Sequence, residues 1–451
     1  MAKTSVNMTA GEPWQLLLRF AVPTMLGGLL NQVYSITDSI IVGRYLGETA
    51  LAAVGSCGPV VMLLGAVLVG LNMGVGVIMS QCFGSGSIER MRRAFANSLY
   101  LGAILSLVTA AIGILFSRLI LTLMGTPAGP LPQAVLYLRI AYGTSIFPVL
   151  YWLFSCAFRG MGDSTTSLWC LIVSVVSNIF LDILFVAVFR WGVAGSAWAT
   201  ALAQAFAALF SYFMLWRKYP EMRFTKQDCA PDTEILRDVT VLAVPIALQN
   251  GFNNLGNIVV QSAVNGFGES VMAAYTAASR VGTLSLIPVE NIGGALSVYA
   301  GQNYGAKKNE RIGKGVGAAN RLVLGIGVFV GAVMLFASRY VIYLFLSDPT
   351  EQVIEVSMRH IWITAVPGVL YGLMMNYQQV LRGIGCPNDS VIGGFCQLIA
   401  KVALAAIGAW FFKSLTVVWI AWPVSYAAGL IWPLIRYRKV ERERSTKEQN
   451  E

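Results

Sequence analysis

Three carboxylic acids lie deep inside long apolar runs of this sequence: Asp38, Asp182 and Glu290. An ionisable group at such depth in lipid is costly unless paired or hydrated, so each asks for a chemical reason. At about 1.5 Å per residue of helix, Asp38 and Asp182 each stand about 12 Å below the outer end of their runs. Thr200 falls at the same depth in the next run, and Asn178 lies one turn before Asp182 on the same face. Two carboxylates, an amide oxygen and a hydroxyl at one level make a candidate hard-oxygen site for Na⁺. Crowded like-charged acids also supply a proton acceptor. The competing reading is that the four groups only hydrogen-bond their helices together.

The other embedded charges are candidate modulators. Glu290 and Lys401 lie at equal depth, which predicts an ion pair that lets lipid tolerate both. Arg139 and Arg280 sit in the outer part of their runs, where long stems can snorkel to the interface; Arg139 is also placed to tune the acids by pairing with them. His360, the one histidine, falls near the outer end of its run and reads as an interfacial polar residue. The seven cysteines form no close Cys-x-x-Cys pair, so neither a disulfide framework nor a zinc site is expected.

The elements that must carry these residues are membrane helices. The chain of 451 residues is 56% hydrophobic and only 12% charged, well below a soluble protein. Gly, Pro and charge punctuate it into twelve spans, at about 14–46, 51–82, 93–117, 131–157, 164–190, 192–217, 237–266, 271–304, 312–337, 352–381, 388–411 and 414–438. With both termini cytoplasmic, 22 basic residues fall inside and six outside, as the positive-inside rule requires. The net charge of +10 therefore reports topology, and no nucleic-acid partner is expected. Residues 1–12 are polar and the first run is too long for a signal peptide, so no cleaved leader is expected.

The halves repeat. VPTMLGG at Val22 answers VPIALQN at Val244, LGETALAAVG around Gly47 answers FGESVMAAYT around Gly268, SQCFGSG at Gln81 answers GQNYGAK at Gln302, and FRGMGD at Arg159 answers LRGIGC at Arg382. The four offsets lie between 221 and 223 residues, which predicts two six-helix lobes: 1–217, a cytoplasmic linker 218–236, 237–438, and a charged tail 439–451. The acid site is not duplicated, because Val260, Lys401 and Ala405 stand where the first half has Asp38, Asn178 and Asp182.

Two further features fit a transport path. Asn250, Asn254, Asn257 and Gln261 align on one face of span 7, and Gln32 and Tyr34 lie on span 1. Such stripes either bond helix to helix or line a substrate cavity. Pro23 and Pro245 occupy matching places early in spans 1 and 7, where a missing backbone donor lets a helix bend. Protonation of Asp38 changing the bend at Pro23 is the switch these positions suggest.

The chain resembles the MATE (multidrug and toxin extrusion) family, within the larger group of oligosaccharidyl-lipid and polysaccharide flippases. The resemblance rests on SITDSIIVGRYLGETALAAVG (Ser35 to Gly55), FRGMGDSTTS (Phe158 to Ser167), SNIFLDILFVAVFRWGVAGSAWAT (Ser177 to Thr200) and YAGQNYGAKK (Tyr299 to Lys308). It implies an all-α membrane protein whose two lobes form a V around a central cavity, exporting organic, often cationic compounds against inward H⁺ or Na⁺. It also implies that Asp38, Asn178, Asp182 and Thr200 are the N-lobe cation site. One subgroup of the family carries acids in spans 7 and 10, where this chain has amides with Tyr371, Asn376, Gln378 and Gln379, so coupling is expected through the N-lobe.

A small-molecule antiporter in the inner membrane of a bacterium, acting as a monomer without a cofactor, is the expectation that results. A lipid or lipid-linked saccharide flippase is the alternative within transport; it would favour a more cationic cavity. An intramembrane enzyme lacks a catalytic constellation here, and a passive channel fits poorly with an asymmetric acid site.

Overall fold

The computed structural model describes residues 5–225, 227–343 and 349–450. Lys3 and Lys226, counted above among the inner basic residues, lie outside them. Among the described residues there are helices and no strands, as expected where lipid leaves backbone groups no partner but their own helix. The helices are α1 Pro13–Leu46, α2 Glu48–Ser85, α3 Ile88–Leu123, α4 Leu131–Gly143, α5 Ile146–Gly160, α6 Ser164–Asp182, α7 Val193–Lys218, α8 Thr233–Asn265, α9 Glu269–Gly305, α10 Asn309–Ile342, α11 Glu351–Ala365, α12 Gly368–Gly383, α13 Pro387–Ala406 and α14 Leu415–Asn450.

Eleven of the described stretches are long and apolar enough to cross a membrane, and α4 with α5, bent by 49° at their junction, makes a twelfth. Span 10 is likewise two helices, α11 and α12, with Pro367 at the start of the second. Large apolar side chains such as Leu115 at 71% and Phe336 at 84% exposure face outward, the side that lipid covers. α14 runs on through the charged tail to Asn450, because Glu, Lys and Arg are good helix formers.

The duplication is visible in unusual backbone. α6 and α13 both run into a π-helical turn, Ile183–Val188 and Ile407–Phe411. Each turn is followed by a non-glycine residue in the left-handed region, Arg190 at φ 55° and Lys413 at φ 46°, 223 residues apart. Such conformations are uncommon for side chains of this size, so their repetition marks a common ancestry of the halves more strongly than helix count does.

The chain divides into two compact units, but not between α7 and α8. The first holds the described part of Met1–Asn7 with Pro23–Ala247, and the second holds Met8–Val22 with the described part of Leu248–Glu451. The divisions fall at Pro23 in α1 and two residues after Pro245 in α8, so each of these long helices changes unit near its proline. Small residues explain the early part of α8: a Cβ on Gly70 of α2 would stand 2.6 Å from the Ala243 carbonyl oxygen. Residues 8–11 bind the second unit, with Met8 N–H donating to Gln302 Oε1 (2.9 Å) and Arg311 donating to the Gly11 carbonyl (2.8 Å).

The stretch 218–236 is folded onto the first unit rather than slack. Tyr100 donates to the Cys229 carbonyl (2.5 Å) and Asn97 accepts from Asp232 N–H (2.8 Å). Asp232 Oδ1 then caps α8, accepting from Glu234 N–H (3.0 Å) and Ile235 N–H (3.2 Å).

Candidate cation site

The helix that carries Asn178 and Asp182 is fixed at its start. Gly162 turns the chain with φ 81°, and Asp163 caps α6 by accepting from Thr166 N–H (2.9 Å) and from the Thr166 hydroxyl (2.6 Å). Tyr219 donates to the same carboxylate (2.9 Å), and Lys218 donates to Thr166 Oγ1 (2.7 Å), tying α6 to the end of α7. The π-helical turn begins directly after Asp182; such turns recur at functional sites because they re-aim side chains.

Three helices of the first unit converge there. α1 presents Tyr34 and Asp38, α6 presents Asn178 and Asp182, and α7 presents Ser196 and Thr200, each pair one turn apart on one face. Asn178 Nδ2 donates to Thr200 Oγ1 (3.4 Å), and the Tyr34 hydroxyl lies 3.3 Å from the same oxygen. Ser196 donates to Asp38 Oδ1 (3.2 Å). The carboxyl groups of Asp38 and Asp182 face each other at interaction range. Asn178 also approaches Asp182, yet among the described residues no N–H or O–H is aimed well enough to satisfy either Asp182 oxygen, and Asn178 Oδ1 is likewise unsatisfied. Asn178 and Asp182 are each 1% exposed. Buried acceptors without donors are costly, and the chemical complement of this cluster is a proton or a small cation.

The structure thus brings Asp38, Asn178, Asp182 and Thr200 together, and adds Ser196 and Tyr137, which the sequence reading passed over. Tyr137 of α4 is close enough to feel both carboxylates. The spacing of Ser196 four residues before Thr200 was the available signal. Tyr34, assigned above to a substrate cavity, belongs to this cluster.

Arg139 does not join it. The inward face of α4 is Ala134, Leu138 and Tyr142, which turns the next residue outward; Arg139 is exposed, with no ion pair among the described residues. Nor do Glu290 and Lys401 meet. The Tyr371 hydroxyl donates to Glu290 Oε1 (2.5 Å), whereas Lys401 donates to Asn257 Oδ1 (3.1 Å) and stands 4.0 Å from the centre of the Trp422 ring. Equal depth allowed the pair, but depth does not fix direction round a helix. His360 is not interfacial: it shares the buried stripe of Ser357, Ile361 and Thr364 and lies edge-on between Tyr275 (5.1 Å) and Trp419 (5.3 Å).

The polar stripe of α8 is divided among tasks. Gln261 donates to Asn265 (2.8 Å) and Asn257 holds Lys401, while Asn250 and Asn254 are half-buried, as is Gln32 of α1. The neighbouring Gln249, not singled out from sequence, anchors a buried network. It donates to Gln378 Oε1 (2.6 Å) and accepts from Arg382 (2.5 Å) and Ser390 (2.8 Å).

Comparison with known proteins agrees with this architecture. The family model described as MatE matches twice, over residues 23–184 and 245–407, and the two matches begin on Pro23 and Pro245. The chain is 30% identical over 434 residues to the probable multidrug resistance protein YoeA of Bacillus subtilis (strain 168), covering 93% of this chain and 92% of that one. It is 30% identical over 288 residues to the probable multidrug resistance protein YpnP of the same organism, covering 64% of each. A crystal structure of MATE in complex with MaL6 superposes with a TM-score of 0.91 at 25% identity, covering 98% of this chain and 100% of that one. With the family model matched in both halves, by the same stretch of fold each time, the chain belongs to the MatE family of membrane transporters.

Proposed function

We propose that this transporter exports organic compounds by exchange with an inward-moving cation, H⁺ or Na⁺, held by Asp38, Asn178, Asp182 and Thr200. The observation that carries this reading is the facing pair of carboxylates, one buried without a protein donor, inside membrane-spanning helices. Na⁺ would take carboxylate, amide and hydroxyl oxygens from these four residues; a proton would be shared between the two carboxyls. Both ions neutralise the same charge, so either can bias one state of a two-state transporter.

Pro23 is the hinge in this reading and Pro245 its counterpart. α1 carries Tyr34 about three turns and Asp38 about four turns beyond Pro23, so a change in how tightly α1 is held at the acids alters the bend at the proline. The protein relatives named for multidrug resistance support bulky organic substrates; the positive-inside pattern supports cytoplasmic termini in a bacterial inner membrane. A proteoliposome experiment tests the proposal: efflux of a fluorescent organic cation under an imposed pH or Na⁺ gradient, wild type against Asp38→Asn. Gradient-driven efflux that vanishes in the variant supports it and names the ion. Efflux that is indifferent to both gradients overturns it.

A further inference from the structure

The second unit carries a charge-inverted copy of the cation site. Where the first half has Tyr34, Asp38, Asn178 and Asp182, the second has Gly256, Val260, Lys401 and Ala405. Both acids are gone and an ammonium has arrived. The change is accommodated in the packing: a Cβ on Gly256 would already lie 3.1 Å from Lys401 Cδ, so a side chain the size of Tyr34 has no room beside the lysine stem. Lys401 is 3% exposed, and its partners are the Asn257 amide oxygen and the face of Trp422, both neutral. A buried ammonium with no carboxylate partner among the described residues is the arrangement that membrane helices otherwise avoid.

An aromatic bridge continues from it. Trp422 packs on Tyr426 (6.3 Å between centroids), and Tyr426 on Tyr371 (5.0 Å), whose hydroxyl donates to Glu290. Asn257 at the cationic end and Glu290 at the anionic end are both exposed. At this depth an exposed carboxylate faces water rather than lipid. The second unit therefore presents an ammonium, bonded to one amide, and a carboxylate, set apart by a row of tilted rings.

We infer that Lys401, Asn257 and Trp422 form a subsite for the anionic group, a carboxylate or phosphate, of an organic zwitterion whose cationic group is taken by Glu290. The anion displaces the Asn257 amide from the ammonium and gains a charge-assisted contact in its place. This subsite extends the proposed export function, on which it rests for its solute, to compounds that are not simply cationic.

The test uses the full chain in nanodiscs with no ion gradient, so a failure of coupled transport leaves the measurement intact. Two probes are compared by fluorescence anisotropy: a zwitterionic rhodamine with a free carboxylate, and the methyl ester of the same dye. Lys401→Gln is expected to weaken the carboxylate dye about tenfold, the lower end for a charged hydrogen bond, and the ester less than twofold. Glu290→Gln is expected to weaken both dyes. Competition by a short-chain phosphocholine lipid separates two sources of the anion: displacement assigns a phospholipid headgroup, and its absence a soluble solute. If Lys401→Gln does not fold, Asn257→Leu and Lys401→Arg give the same comparison, the first disturbing and the second retaining the preference for the carboxylate. Equal loss of both dyes, no loss of either, or no binding of the carboxylate dye to the wild type overturns the inference.

Discussion

Asp38 and Asp182 face each other inside the first unit, but they are not equivalent: Ser196 donates to Asp38 across 3.2 Å, whereas neither Asp182 oxygen has a well-aimed donor among the described residues. The less satisfied acid is the one on the helix that ends in a π-helical turn. In the proposed exchange the incoming cation gains most at Asp182, and Asp38 links the site to α1.

Asp38→Asn and Asp182→Asn should each reduce gradient-driven efflux at least about tenfold, since each removes a charged contact of about 1.5–3 kcal/mol. Thr200→Val removes a neutral oxygen and should cost only about 0.5–1.5 kcal/mol, with the larger effect on Na⁺-driven than on H⁺-driven efflux. Initial rates in proteoliposomes under each gradient check this; equal rates for wild type and both acid variants would remove the cluster from coupling.

Pro23→Ala should slow turnover by roughly three- to tenfold, about 0.7–1.4 kcal/mol of barrier, without abolishing cation binding. Pro23 lies inside continuous α1 at the residue where the helix passes from one compact unit to the other, and its missing backbone donor makes it the place to bend. Efflux rate and ion affinity, measured separately on the same preparation, decide it: normal turnover argues against a hinge.

Gln249→Leu should destabilise the second unit, because Arg382, Ser390 and Gln378 each lose a partner in a buried network. Each group left unsatisfied costs about 1–3 kcal/mol. Gln249→Glu keeps the acceptor for Arg382 and should lose less. Thermal unfolding of the purified protein measures the difference, and identical midpoints for the two variants would contradict the network.

Acid should loosen the 218–236 connection only below the ordinary carboxylate range. Burial pushes the Asp228 carboxyl up, but the Thr225 hydroxyl and backbone N–H and the nearby Arg92 outweigh it and hold it below its ordinary value. Arg92 Nε lies 2.6 Å from Asp228 Oδ2, an ion pair by distance although its N–H points aside. A depressed carboxyl contributes stability that is present above its unfolded value and lost as pH falls through the folded one. Amide exchange of residues 227–232 should therefore stay slow at neutral pH and rise in strong acid. In Asp228→Asn it should be fast at both; a pH-independent wild type would refute the assignment.

The twelve spans, the repeat and the shared depth of Asp38, Asn178, Asp182 and Thr200 were legible because lipid imposes simple rules: about twenty apolar residues to cross, and a reason for every buried charge. Pairings were not legible. Hydropathy gives the depth of Glu290 and Lys401 but not their azimuth, and the structure turned one toward Tyr371 and the other toward Trp422. The same ambiguity hid the burial of His360 and the outward turn of Arg139. Gln249 escaped notice because it lies one residue off the stripe that its neighbours make.

By itself the sequence determined that this chain spans the membrane as two related halves, and that the paired acids Asp38 and Asp182 belong to the first. Composition, offset and residue depth are one-dimensional properties, and those conclusions need nothing more. Only the tertiary structure decided that α1 and α8 change unit near Pro23 and Pro245, that Ser196 and Tyr34 complete the acid cluster, and that Lys401 rests on an aromatic face. Each of these depends on which side of one helix meets which side of another. That is set by glycine-sized gaps such as Gly70 and Gly256 rather than by any periodicity along the chain.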